Sequence, residues 1–316
     1  MIEGKLTIRQ IAELAGVSRS TVSRVLNDHP NVNPQTRERV LQVVAETGFR
    51  PDPIARSLSS RRADLIGLVI PVTIRSLFEA PFFPRLMQGI SQGCKSHDYT
   101  LSLFLLHTPE EEAKLYPRIS RRQLLDGVIV TATRNGDPLI PQLLANRVPC
   151  VLHGRHEDPR VSFVEVDNVT GAYTAVTHLV RLGHRRIGLI TGPLGSLAAE
   201  DRKRGYLNAL LERRVPVDEG LIIHSDFTEN SSFEAMQRLL RHELDAVFVA
   251  SDSMALGAMR ALRKVGKRVP GEVAVVGVDD MPQAATANPP LTTVRQPIQR
   301  AGVVAVEMLI DILENG

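Results

Sequence analysis

Residues 15–27 read AGVSRSTVSRVLN, and the organisation of the whole chain can be worked outward from this segment. Beyond Gly16 and Ser18, the apolar Val22, Val25 and Leu26 recur at helical spacing. At roughly 100° per residue they share one inward face. Arg19, Ser20, Ser23, Arg24 and Asn27 then form a donor-rich stripe on the other side. Such a stripe is ordinarily a solvated face. Two features argue for more. The stripe carries no carboxylate, whereas a solubilising face mixes both signs. Arg19 stands in the first helical turn, where the macrodipole disfavours a cation. A helix lying in the major groove of DNA accounts for both, because arginine pairs bidentately with guanine and small hydroxyls allow close approach to bases and phosphates.

The neighbouring residues predict helices on either side. Thr7 is an N-cap for a helix carrying Ile8, Ile11, Ala12 and Ala15, which Gly16 ends, and Ser18 caps the helix of the stripe. Asn33 followed by Pro34 opens a third helix with Val40, Val43 and Val44, stopping near Gly48. Two helices joined by a short glycine turn make a helix-turn-helix. Residues 1–62 hold 10 Lys and Arg against 6 Asp and Glu, while the remainder holds 28 against 29. A basic head on a near-neutral body points to a polyanionic partner. Pro51 and Pro53 then interrupt the helical pattern, and residues 54–58 leave room for little more than one turn, marginal by itself in water.

From Asp64 onward the pattern changes. Apolar runs LIGLVIP, TLSLFLL, DGVIVTA, PCVLHG, RRIGLIT, LIIHSDF, DAVFVASD and VAVVGVDD alternate with helical segments such as 82–97, 169–183, 198–213, 253–265 and 297–314. Continuous apolar strands alternating with helices predict an α/β body of two doubly wound parallel sheets. Ligands of such sheets bind beyond the carboxyl ends of the strands. That rule singles out Phe82 and Phe83, Arg155, Phe227, Asp252, Asp279 and Asp280, with Arg202 opening a later helix. Asp252 and Asp279 have an alternative use in capping the helices that follow their strands.

The stretch TIRQIAELAGVSRSTVSRVLN resembles the head of the lactose-repressor/galactose-repressor (LacI/GalR) family of bacterial transcription regulators, matching its pattern A-G-V-S-x-x-T-V-S-R-x-L-N without a gap. VEVDNVTGAYTAVTHLVRLGHRRIGLITGP, ASDSMALGAMRAL, VPGEVAVVGVDD and PPLTTVRQP are similar to the periplasmic-binding-protein-like core of the same family. The resemblance implies that Arg19, Ser20 and Arg24 read bases, and that Thr7, Ser18, Thr21, Ser23, Asn27, Asn33 and Thr36 touch phosphate. Through the family's ARSL hinge it implies that Ala55 and Leu58 enter the minor groove, Leu58 as a wedge. It also implies that Arg202, Asp252 and Asp279 are polar effector contacts, with Phe82, Phe83 and Phe227 as apolar walls. The expected divisions are a head at 1–50, a hinge at 51–63, one half of the body at 64–162 with 292–316, and the other at 163–291. Two departures stand out. VTIRSLFEA replaces a shorter family link, so Arg75 and Phe78 are expected to reshape the pocket or its lid. The sequence stops at Gly316 after a helix, where the family continues with one more strand, so an uncovered edge is expected in the later sheet.

Other classes fit less well. Walker A, G-x-G-x-x-G, HExxH and GxSxG motifs are missing, and Asp279 and Asp280 alternate sides on an extended chain, so an enzyme is not expected. His153 and His156 form an HxxH with no third ligand, and GHRR around His184 reads as structural, so neither metal nor cofactor is expected. Cys94 and Cys150 read as small buried hydrophobes. A stand-alone solute-binding protein would suit the body but not the basic head. With no signal-like N-terminus and no apolar run near the roughly 20 residues of a membrane span, a cytoplasmic location is expected. The expected partners are a near-palindromic double-stranded DNA operator, a small-molecule effector, and a second copy in a homodimer or a tetramer, with no membrane.

Overall fold

The computed structural model describes residues 6–26, 29–49, 63–79, 81–121, 124–131 and 136–316. Asn27, Ala55 and Leu58 lie outside these residues, as does the side chain of Arg75. The chain divides into two compact units, Met1–Ala63 and Asp64–Gly316.

In the first unit, helix α1 spans Ile8–Leu14, α2 Arg19–Leu26 and α3 Pro34–Thr47. Thr7 caps α1 in a reciprocal arrangement with Gln10, and Asn33 caps α3 by accepting from the Gln35 N–H at 2.9 Å. Gly16 turns the chain between α1 and α2 in a left-handed conformation, φ 62°. Ile11, Ala12, Ala15, Val22, Val25, Val40 and Phe49 form one small core. Arg37 ties α3 to the preceding loop by donating to the His29 carbonyl at 2.5 Å.

The second unit begins with β1 (Leu65–Ile70), α4 (Ile74–Glu79), α5 (Phe82–Ser96) and β2 (Thr100–Leu105). It continues through α6 (Pro109–Ile119), β3 (Gly127–Thr131), α7 (Leu139–Ala145), β4 (Cys150–His153) and β5 (Ser162–Val164). Next come α8 (Asn168–Arg181), β6 (Ile187–Thr191), α9 (Leu197–Glu212), β7 (Ile222–His224), α10 (Glu229–Leu239) and β8 (Ala246–Val249). The last elements are α11 (Asp252–Lys264), β9 (Ala274–Asp279), α12 (Pro282–Thr286), β10 (Thr292–Arg295) and α13 (Ile298–Asn315). Two five-stranded parallel sheets result, in the orders β2-β1-β3-β4-β5 and β10-β9-β8-β6-β7. The central strands are buried along their length because helices cover both faces, which is why they read as unbroken apolar runs.

Three differences from the sequence expectation are physical in origin. Residues 292–295, expected with the first half, form β10, which pairs with β9 from Thr292↔Val276 to Arg295↔Asp279. Leu291 and Val294 pack into the cores of the second sheet, so only α13 returns to the first. The expected boundary at 162/163 cuts through β5, whose Phe163 pairs with Leu152 in the first sheet. In the long link, Leu77 is buried in the first core while Phe78 is 73% exposed and is not part of the cavity lining. A helix anchored by one leucine satisfies the extra residues.

Candidate functional site

Two sites emerge, one in each unit. In the first, burial of Val22 and Val25 turns Arg19, Ser20 and Arg24 outward, all exposed. Neither guanidinium is held by a carboxylate among the described residues. Ser18 Oγ accepts from the Thr21 N–H at 3.1 Å and lies 2.7 Å from Ser20 Oγ and 2.8 Å from Thr21 Oγ1. Three hydroxyls therefore cluster at the N-terminus of α2, the end of the helix dipole that favours an anion. Ser23 and Thr36 are half-buried. Thr7 and Asn33 are exposed, and each also caps a helix.

The second site is a cavity of about 170 Å³ at the carboxyl ends of strands from both sheets. It brings together Phe82, Phe83, Arg155, Arg202, Phe227 and Asp279. Phe82 and Phe83 open α5 and meet edge to face, with centroids 5.4 Å apart. Phe227 follows β7 at φ 68°, and its ring covers Gly192, where a Cβ would lie 2.3 Å from the ring and displace it.

Arg202 is buried on α9. Its Nε donates to Asn168 Oδ1 at 2.9 Å and its Nη1 to the Ala250 carbonyl. Desolvation lowers its pKa, while the charges of Asp279 and Asp252 oppose that shift. Asp279 ends β9 at φ 126°, a backbone region costly for a side chain with a Cβ and found where function holds it in place. Gln296 Nε2 donates to its Oδ1 at 2.6 Å. Burial pushes the Asp279 carboxyl up to about 7, against the pull of Arg202. Asp280 turns the other way to pair with Arg295 at 2.6 Å, so the two adjacent acids do not act as a couple.

Asp252 does not reach the cavity wall. Its carboxylate accepts from the Met281 N–H at 2.7 Å and the Thr293 hydroxyl at 2.5 Å, fastening the segment after β9 to β10. Burial raises its pKa to about 6. Ser251, not Asp252, caps α11 by accepting from the Met254 N–H. Arg155 follows β4 and makes a bidentate pair across the cleft with Asp201 of α9, at 2.8 and 3.1 Å.

Sequence reasoning missed His153, Asn168, Ser196, Ser253 and Gln296 in the wall. Asn168 lies inside the quoted VEVDN motif and Gln296 inside TTVRQP, so both were visible as letters without a role. His153 packs against Phe82 at 5.7 Å, and desolvation lowers its pKa to about 4, leaving it neutral. A neutral imidazole offers one donor and one acceptor to a ligand. Burial raises both Cys94 and Cys150 to about 11.

A helix-turn-helix with a cationic outer face, joined to a two-sheet body enclosing a polar and aromatic cavity, defines a ligand-binding DNA-binding regulator. The comparisons agree. Residues 7–52 match the description "Bacterial regulatory proteins, lacI family", and residues 176–316 match the "Periplasmic binding protein-like domain". The chain is 39% identical over 311 residues to the HTH-type transcriptional regulator CelR of Thermobifida fusca, covering 96% of this chain and 91% of that one. It is similar to the solved CelR–cellobiose complex at 38% identity and TM-score 0.76, covering 98% of this chain and 93% of that chain. It is also similar to the Lac repressor dimer bound to operator and the anti-inducer ONPF, at 27% identity and TM-score 0.86, with the same coverage of 98% and 93%. The chain belongs to the lacI family of bacterial regulatory proteins. It is a sequence-specific DNA-binding transcriptional regulator and not an enzyme. No helix among the described residues is long and apolar enough to cross a membrane.

Proposed function

We propose that this regulator is a cytoplasmic repressor whose operator affinity is set by a short carbohydrate bound in the cavity. The observation that carries the reading is the cavity itself, where the rings of Phe82, Phe83 and Phe227 share a wall with buried Arg202 and Asp279. Aromatic faces suit the C–H face of a sugar ring, while an arginine and a carboxylate make charge-assisted hydrogen bonds to its hydroxyls. The similarity to a regulator solved with cellobiose supports the same ligand class. Phe82, Phe83, Arg155, Arg202, Phe227 and Asp279 are assigned to the effector, with Asp252 supporting from behind the wall.

On the DNA side, Arg19, Ser20 and Arg24 read bases, while Thr7, Ser18, Thr21, Ser23, Asn27, Asn33 and Thr36 contact phosphate. Ala55 and Leu58 belong to the hinge at 51–63, between the head at 1–50 and the body. A homodimer would place two heads on a near-palindromic operator. The sugar must bind the DNA-competent and incompetent states with different affinity to act at all.

The test is a thermal-shift panel of mono- and oligosaccharides on the full chain, followed by gel shifts of its operator with and without each hit. A specific sugar that raises stability and alters operator affinity is the expected result. Stabilisation by no sugar, together with stabilisation by a nucleobase or amino acid, would transfer the cavity to another ligand class.

A further inference from the structure

The charged side chains of the cavity wall are Arg155, Arg202, Glu165 and Asp279, two cations against two carboxyl groups. Each already has a partner in the protein. Arg155 makes its bidentate pair with Asp201 and has Glu165 Oε1 3.8 Å from its Nε. Arg202 is fixed by Asn168 Oδ1 and the Ala250 carbonyl and feels the charge of Asp279, which in turn receives Gln296 Nε2. The N–H groups that the two arginines have left can donate to a hydroxyl. Among the described residues of the wall, however, no cation or carboxylate stands free to neutralise a charged ligand. A phosphate, carboxylate or ammonium group brought into this space would stay unpaired away from water, which is strongly unfavourable. A hydroxyl has only to be hydrogen-bonded.

His153 differs from these groups. It ends β4, aligned with Thr131 of β3 and Val164 of β5. Its ring lines the cavity and meets Phe82 edge to face, with centroids 5.7 Å apart and planes at 64°. No other residue, among those described, hydrogen-bonds that ring. Desolvation keeps the imidazole neutral, so one nitrogen donates and the other accepts. A hydroxyl can do both, so it can pair with whichever nitrogen faces the cavity.

We propose that the effector is an uncharged sugar and that His153 is the specificity-determining residue that reads one of its hydroxyls. The inference rests on the carbohydrate reading above and narrows it. The balanced wall disfavours sugar phosphates, uronic acids and amino sugars. His153 then separates neutral sugars that set a hydroxyl against its ring from those that do not.

Calorimetric titration of the full chain tests both parts. The probes are neutral mono- and disaccharides of glucose and galactose, their monodeoxy derivatives, and matched uronates and uronamides, which differ in charge but hardly in shape. A neutral sugar should bind, with the uronate weaker than its uronamide by about a hundredfold. A uronate that binds as tightly as its uronamide, or binding of charged sugars alone, would overturn the uncharged class while leaving the carbohydrate reading intact. His153→Phe keeps a ring beside Phe82 and should lower affinity for the neutral sugar by about tenfold, with unfolding in the absence of sugar unchanged. One monodeoxy derivative should bind the unaltered chain about tenfold more weakly than the parent sugar, yet bind His153→Phe as well as the parent does. His153→Asn, which keeps a donor and an acceptor, should recover part of the loss. If His153→Phe weakens the parent and every derivative by the same factor, or weakens none, His153 only packs and its assignment falls. Binding of no sugar, charged or neutral, would overturn the carbohydrate reading and this inference with it.

Discussion

The two sites of this chain are built in opposite ways. The proposed DNA-facing site is one exposed face of the eight-residue helix α2, with every proposed base reader within six consecutive positions. The cavity gathers residues from α5, α9, the end of β9 and the loops after β4, β7 and β8, and it buries a guanidinium and a carboxylate together. An exposed face can change one side chain with little effect on folding, because its groups stay hydrated in the free protein. A buried network cannot, because each charged member is compensated only by the partners the fold places beside it.

Arg202→Ala should break the comparison most strongly. It leaves Asn168 Oδ1 and the Ala250 carbonyl without their donor and removes the cation whose charge opposes the rise in the Asp279 pKa. Removing one partner from a buried charged network costs about 3–5 kcal/mol, so denaturant unfolding of the body should report a loss of that order along with loss of the sugar response. Unchanged stability would mean that the guanidinium is not part of the structural network.

Next in size is the pH dependence carried by Asp279. Its pKa rises from 3.8 to about 7 on folding because of burial, so between those values the native state holds a proton that the unfolded state has released. Stability therefore falls as pH rises from about 4 to about 7, with Asp252 adding in the same direction up to about 6. Each unit of displacement is worth about 1.4 kcal/mol. Asp279→Asn, which keeps an acceptor for Gln296, should be more stable than the unaltered chain at neutral pH and equal to it near pH 4. Parallel curves of melting temperature against pH for the two proteins would show that Asp279 is ordinary in the folded state. A sugar hydroxyl donating to the carboxylate favours its ionised form, so binding should release a proton near neutral pH.

The same contrast explains which features are legible in the amino-acid sequence and which are not. Thr7, Ser18 and Asn33 cap helices because capping depends on neighbours two or three positions away, and a single sequence carries that spacing. The central strands are legible because two covered faces leave a continuous apolar run. Thr292–Arg295 was misplaced because its burial pattern is mixed and its partner is chosen by Leu291 and Val294 packing on distant helices. Asp252 looked like a cavity residue for a related reason. Its position after β8 is right for a ligand contact, and only the fold shows that Thr293 and Met281 consume its acceptors. Gln296 and Asn168 gave no local signal, since their roles exist only once Asp279 and Arg202 lie beside them.

Arg19→Ala sharpens the comparison from the exposed side. The side chain is exposed in the free protein, so the variant should unfold like the unaltered chain. Its effect should be confined to DNA, a loss of about 1–3 kcal/mol in discrimination at one base pair per half-site if the contact is bidentate. Binding measured on operators altered at each position separates the possibilities. A uniform loss on every sequence, with a shallower salt dependence, would make Arg19 a phosphate contact.

The smallest effect is expected at Thr7, where the two kinds of role meet. Its hydroxyl accepts from the Gln10 N–H at 3.4 Å while Gln10 Oε1 accepts from the Thr7 N–H at 2.8 Å, so the residue closes the N-terminus of α1 without any DNA present. Thr7→Ala should cost about 0.5–2 kcal/mol of stability in the head. Thr7→Asn restores an acceptor at the cap while changing what is offered to a phosphate. If Thr7→Asn recovers stability but not operator affinity, the residue touches DNA as well as capping the helix. If both recover together, capping accounts for the whole effect, and the phosphate role assigned to Thr7 is withdrawn.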